Sequence, residues 1–316
     1  MAYNNQITRT YADALIPEEV SATIIQEVTA QSVIMRMARR LPPISRQKLR
    51  MPVLSGLVTA YFLDGDTARK QTSDMQWVNK FIEAAELAVL VPIPEAVLDD
   101  ADYDIWGEVR PRIVEAFGRA FDQAVLYGVN APSVWPTNVL SAATAAGHAV
   151  TIGAGNDIYD DIMGEAGLLA KVEEDGYSVT GHIAALPLRA KLRGLRDVNG
   201  NPIFVYNVQA NTQYELDGVP LDFPRNGSVL PTEGWMFSGD WPQLVYAMRQ
   251  DITYKVLDQA VIQDNTGAIV YNLAQQDMVA LRAVMRLGWQ LPNPVNSVNP
   301  DNATRYPFSV LLPAGA

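Results

Sequence analysis

The stretch VALRAVMRLGWQL, residues 279–291, puts Val279, Leu281, Ala283, Met285, Leu287, Trp289 and Leu291 at every odd position, with Arg282, Arg286 and Gln290 opposite. Successive side chains of a strand point to opposite faces, so this period of two predicts a strand with one buried apolar face. Such a strand needs neighbours and a cover. Ile252, Tyr254 and Val256 alternate in the same way, as do Ile269, Tyr271 and Leu273, with a turn at Asp264-Asn265-Thr266-Gly267 between the two runs. The cover is a helix in which Ile105, Val109, Ile113, Phe117, Phe121 and Val125 recur every four residues beside Ala116, Ala120 and Ala124. Asp104 caps its start, Gly128 ends it and Pro111 predicts a kink. At 1.5 Å per residue it is roughly 36 Å long. A long helix on an antiparallel sheet, from segments far apart in the chain, gives an α+β fold.

Residues 48–91 read as two extended arms around a polar tip that runs from Asp64-Gly65-Asp66 to Ser73-Asp74, with Trp77 to Val91 as the returning arm. This excursion would project roughly 50 Å at about 3.3 Å per residue, and an isolated two-stranded hairpin is marginal in water. Support must come from its own core or from a neighbouring subunit. Ahead of it, Pro17, Glu18 and Glu19 open a helix expected to run to about Met37 before Pro42 and Pro43, and residues 1–16 read as a polar arm. Residues 141–250 look like a second compact unit with a mixed sheet. Within it, Ile158, Ile162, Ala166, Leu169 and Val172 predict one helix closed by Gly176, followed by a strand over Tyr177–Leu186, a short helix at Leu188–Leu195, and turns at Asn199-Gly200 and Asp217-Gly218.

A chain of 316 residues, 48% hydrophobic, can bury a substantial core as one elaborate or two modest domains. Cysteine is absent, no secretion signal is recognisable and the longest apolar run, around Leu87–Ile93, is too short to span a bilayer, so synthesis in the cytoplasm and no membrane partner are expected. The net charge of -11 argues against a conventional nucleic-acid-binding domain. The charge is nevertheless segregated. Arg36, Arg39, Arg40, Arg46, Lys48 and Arg50 form a basic stretch without an acid, whereas residues 81–109 carry eight acids, Asp99, Asp100, Asp102 and Asp104 among them, and no base. Such segregation fits docking of one copy on the next, basic segments near DNA, or merely two solvated faces.

A search for chemistry returns little. His148 and His182 are the only histidines and fit no His-Glu-x-x-His arrangement. Gly153-Ala154-Gly155 lacks the third glycine of a dinucleotide-binding turn, and Asp100, Asp102 and Asp104 lack the glycine and glutamate of a calcium loop. No cofactor, metal or catalytic residue is expected.

The order of parts resembles the major capsid proteins of tailed bacteriophages, the Hong Kong ninety-seven fold that encapsulins also use. The matching features are Ile16-Pro17-Glu18-Glu19, the arm with Trp77, residues 86–94 leading into the acidic turn, and the long helix ending at Tyr127-Gly128. Residues 192–200, Gly218-Val219-Pro220, Gly239-Asp240-Trp241 and the Arg282–Arg286 strand complete the set. The resemblance implies an N-terminal arm (1–47), an extended loop (48–91), a peripheral domain (92–140 and 251–292), an axial domain (141–250) and a C-terminal tail (293–316). It implies a non-enzymatic subunit that assembles into pentamers and hexamers of an icosahedral head shell around double-stranded DNA in the host cytoplasm. Partners would be other copies of itself, a portal, a separate scaffolding protein and a decoration protein. Tyr61, Phe62, Asp64, Arg69, Lys70, Trp77 and Lys80 would contact a neighbour; Lys70 or Lys80 would be the lysine if the shell were cross-linked, which is not expected. The basic stretch would face DNA or pair with the acidic turn. An encapsulin-like compartment and an enzyme without a local motif are the alternatives.

Overall fold

The computed structural model describes residues 32–62, 69–70, 72–100, 105–155, 157–195 and 214–314. In chain order the elements begin with helix α1 (Val33–Met37), strands β1 (Arg39–Arg40), β2 (Lys48–Gly56), β3 (Gln76–Glu83) and β4 (Ala85–Pro94), then helices α2 (Glu95–Asp100), α3 (Ile105–Tyr127) and α4 (Val139–Ala145). There follow β5 (Ala149–Thr151), α5 (Ile158–Met163), α6 (Leu168–Glu174), β6 (Gly181–Ala184), α7 (Leu188–Gly194), β7 (Tyr214–Leu216), β8 (Val219–Asp222) and β9 (Met236–Gly239). The last are β10 (Val245–Leu257), β11 (Val261–Gln263), β12 (Ile269–Asn272), β13 (Met278–Gln290) and β14 (Phe308–Leu312).

The alternating stretch is β13, and it lies between β10 and β4, antiparallel to both, with β1 parallel to β10 at the edge. Its odd residues Leu281, Ala283, Met285, Leu287 and Trp289 share a buried cluster with Ile113, Phe117 and Phe121 of α3, so the long helix covers the sheet as the two periodicities require. Ile105 and Val109 are only half-buried, at the helix end remote from this cluster's centre. The opposite face was expected to be open. Instead Ala280, Val284 and Gly288 are buried too, and at Gly288 the root of the β2–β3 hairpin lies on that side. A Cβ on Gly288 would collide with the Glu83 carbonyl, which is why the close approach needs glycine there.

Two expected boundaries move. The returning arm of the hairpin ends at Glu83; after Ala84 the chain enters β4, a full strand of the main sheet. Leu87, Val89 and Val91 point to the shared core, so burial pulls this segment out of the excursion. Secondly, the helix expected over 158–172 is two helices, α5 and α6, broken at Gly164 and Gly167 where the chain turns too tightly for any side chain. The strand expected over 177–186 is confined to β6.

The second unit is a mixed six-stranded sheet in the order β5-β14-β9-β6-β8-β7. Its inner strand β14 pairs parallel with β5 and antiparallel with β9. Residues 293–314 are therefore not a free tail: they thread back and β14 completes this sheet. Asp217 and Gly218 both have positive φ (54° and 70°), as the tight hairpin between β7 and β8 requires. Phe237, Phe308 and Val310 of this sheet belong to the same buried cluster as α3 and β13, so the two units share one core.

Buried polar groups fasten the units together. Asp122, in the middle of α3, accepts from Ser32 Oγ at 2.6 Å and from the backbone N–H of Val33 and Ile34 at 3.1 and 3.3 Å. It thus anchors the start of α1. Burial pushes its carboxyl up to about 6, although these hydrogen bonds pull the other way. In the second unit Asp175 accepts from Tyr306 N and Asn299 Nδ2, both at 2.7 Å, and lies 3.1 Å from His148 Nε2. The neighbouring Arg305 is buried and donates to Asn299 O, Asn293 Oδ1 and Asn293 O. This network holds residues 293–306 against α6.

His182 carries a pH-dependent consequence. It is fully buried, its Nδ1 lies 2.8 Å from Ser238 Oγ, and burial pushes its pKa down to about 4. A base whose folded pKa lies below its unfolded value contributes stability that is present above pH 6.5 and lost as pH falls to about 4. The loss is on the order of 3 kcal/mol. Unfolding of subunits at pH 7 and pH 4.5 should show that His182→Gln flattens this acid-side fall; an unchanged slope would place the titration elsewhere.

Candidate functional site

Strands β2 and β3 pair in register from Lys48↔Glu83 to Leu54↔Trp77. Alternation gives the hairpin two faces. One carries Leu49, Met51, Val53, Val78, Lys80 and Ile82, and near the root it rests on its own chain: Ile82 is fully buried beside Ile44, Val245 and Ala247. Lys80 Nζ donates to the Leu291 carbonyl at 3.2 Å, and the Val295 N–H donates to the Leu54 carbonyl. Burial and the nearby Arg305 lower the pKa of Lys80. Lys80 is therefore engaged within the subunit, unlike the residues nearer the tip with which its place in the arm grouped it.

The other face has no such support. Trp77 is 62% exposed and Phe81 47%, four residues apart on the same side of β3. Towards the tip Leu57, Val58, Tyr61 and Met75 are also exposed, and Phe62 is completely so. Arg69 and Lys70 are exposed; Asp64 lies outside the described residues. Single exposed apolar residues are ordinary, but a run of large ones on one projecting hairpin marks an interaction surface. Phe81 and Val78 were not singled out in the sequence, although the period of two from Trp77 would have found Phe81.

The basic stretch does not form one patch. Arg36 forms an ion pair with Asp222 of β8, and Lys48 with Glu83 across the hairpin. Arg39 and Arg40 are exposed on the edge strand β1, and Arg46 and Arg50 are exposed around the hairpin root. None of these four forms an ion pair among the described residues. In the acidic turn, Asp99 is exposed on α2, and Asp100 ends that helix. Asp102 and Asp104 lie outside the described residues, as does the helix expected from Pro17 up to α1.

Among the described residues no group of three or more His, Asp or Glu side chains is placed to hold a metal ion, and no helix is long and apolar enough to cross a membrane. A hollow between β4, α3 and residues 129–135 is lined by Phe121, Trp135 and Leu287, and its one carboxylate, Glu86, is bound by Arg286 at 2.6 Å. Asp122, His148 and His182, each shifted by burial, are locked into the core instead.

A subunit built this way, with one shared core and a long aromatic hairpin that its own chain covers on one face only, belongs to the class of proteins completed by their neighbours. The chain belongs to the Phage capsid family, whose model matches residues 12–298, and it is a subunit of a capsid shell. It is 27% identical over 278 residues to the major capsid protein of Staphylococcus phage 80alpha, covering 87% of this chain and 81% of that one. A solved structure from Microbacterium phage Oxtober96 superposes with a TM-score of 0.77 at 34% identity, covering 98% of this chain and 99% of its own. One from Mycobacterium phage Cain does so with a TM-score of 0.77 at 30% identity and the same coverage. The α+β architecture is thus that of the tailed-phage major capsid proteins.

Proposed function

We propose that the protein closes an icosahedral shell of pentamers and hexamers around double-stranded DNA, with the β2–β3 hairpin of each subunit lying over its neighbour. The observation that carries this reading is the uncovered face of Trp77 and Phe81, with Phe62 fully exposed towards the tip. Burying such side chains is favourable by about 1.5–3 kcal/mol each, and the gain repeats at every copy. Arg69 and Lys70 at the tip would meet polar groups of the same neighbour, as would Asp64.

In this reading the unit built on β4, β10, β13 and α3 is peripheral, and the six-stranded unit is axial, gathered at capsomer centres. Arg39, Arg40, Arg46 and Arg50 remain for non-specific contact with DNA or for a neighbour, whereas Arg36 and Lys48 already have partners in their own chain. Assembly in the host cytoplasm, with a portal, a separate scaffolding protein and a decoration protein as partners, completes the proposal. The subunit performs no catalysis in it.

Deleting residues 64–73 tests the hairpin's role, because this removes the tip and leaves the root on its own core. Soluble, folded subunits that no longer sediment as shells are expected. Shells in normal yield from the deletion would contradict the clamping role.

A further inference from the structure

Lys255 of β10 and Arg282 of β13 stand directly opposite each other in the antiparallel ladder, so both side chains leave the same sheet face. Both are exposed, and neither forms an ion pair among the described residues. Like charges placed directly opposite are unfavourable in an isolated sheet. Two rows along the same face, by contrast, Arg286 is matched by Glu86, with bonds of 2.6 and 3.0 Å. In the Lys255–Arg282 row the position on β4 is Leu90, which is 37% exposed and offers no charge.

We propose that Lys255, Arg282 and Leu90 form a docking surface for helix α2 of a second copy of this chain. This rests on the shell reading above and adds a second, separate contact to the hairpin. The occupant follows from charge and shape. Residues 81–109 hold eight acids and no base. On α2, Glu95 and Asp99 are exposed four residues apart, hence on one side of the helix. An acidic helix side fits two cations that have no acid beside them. The subunit's own α2 does not serve: Glu95 lies five residues beyond Leu90, about 16 Å further along the strand. Both patches sit towards the same end of the sheet, where β4 meets the start of β13. A twofold-related pair of subunits therefore satisfies both at once, each α2 on the other's cations.

The test is a charge exchange in the full-length chain, read by sedimentation and electron microscopy of particles, with the unaltered chain alongside. Lys255→Glu with Arg282→Glu, and separately Glu95→Lys with Asp99→Lys, should each lower shell yield at least tenfold. All four changes together should restore it to within about threefold of the unaltered chain, since like-charge contact is then relieved. A milder variant separates assembly from folding. Lys255→Gln removes the opposition of cations, so the melting temperature of free subunits should hold or rise while shell yield falls. The inference is overturned if either reversed pair gives full-sized shells in normal yield, filled or empty of DNA. It is overturned equally if the fourfold exchange gives no rescue, or if Lys255→Gln lowers melting temperature and yield together. Absence of shells from the unaltered chain, persisting when its native neighbours are coexpressed, would contradict the shell reading itself, and this contact with it.

Discussion

Replacing Trp77 and Phe81 together by threonine will leave a folded, soluble subunit that does not close shells. Threonine keeps the preference for strand, so the register from Lys48↔Glu83 to Leu54↔Trp77 should persist. The hairpin root is held from the other face, by Ile82 in its buried cluster and by the Lys80 bond to Leu291. Neither Trp77 nor Phe81 belongs to a buried cluster, so the melting temperature of free subunits should change by less than about 2 °C, as exposed substitutions usually do. In the shell these two rings are the natural anchors, since buried aromatics dominate interface energetics. Losing about 2 kcal/mol at each contact weakens it roughly 30-fold, and a closed shell repeats that loss at every subunit. Sedimentation of the variant beside the unaltered chain checks this. Normal shell yield would show that the aromatic face is not an interface.

Asp122→Ala should have the largest effect on the subunit itself. Besides the Asn226 side chain, three donors from the start of α1 meet this carboxylate: the Ser32 hydroxyl and the N–H groups of Val33 and Ile34. All are buried between α3 and α1, where water does not replace the lost acceptor. An unmatched buried donor costs about 1–3 kcal/mol, so the net loss should be on the order of 3 kcal/mol after removal of the buried charge is offset against it. The sign of the pH dependence follows from the raised carboxyl. Its folded pKa of about 6 lies above the unfolded 3.8, so the group stabilises the fold most at low pH and that contribution falls as pH rises to about 6. The gap between wild type and Asp122→Ala should therefore be wider at pH 5 than at pH 7. Equal stability of the two proteins in a denaturant titration would contradict the anchoring role.

The sheet and its helix were legible because each has a regular period: odd residues 281–291, and Ile113, Phe117 and Phe121 of the four-residue spacing, lie in the shared core, whereas Ile105 does not reach it. Composition also located the hairpin. Its end was misplaced because residues 76–94 are extended throughout, and the change at Ala84 from projecting arm to core strand leaves no break in that pattern. Strand β14 was missed for a different reason. Phe308 to Leu312 is short and apolar, and its place between β5 and β9 depends on long-range pairing that no local spacing reveals. The Asp122 and Asp175 networks join residues about 90 and 130 positions apart, so they too exist only in three dimensions. Among the candidate site residues, Trp77 was recognisable as a bulky residue in an arm. The division of the basic stretch into paired and free members was not, since Asp222 and Glu83 are set beside Arg36 and Lys48 by the fold.

The central claim is that this chain is completed by copies of itself. Electron microscopy of the purified full-length protein, alongside its sedimentation profile, tests that directly. Closed icosahedral particles or ring-shaped capsomers are the predicted result. A strictly monomeric species, persisting when its native neighbours are coexpressed, would contradict it.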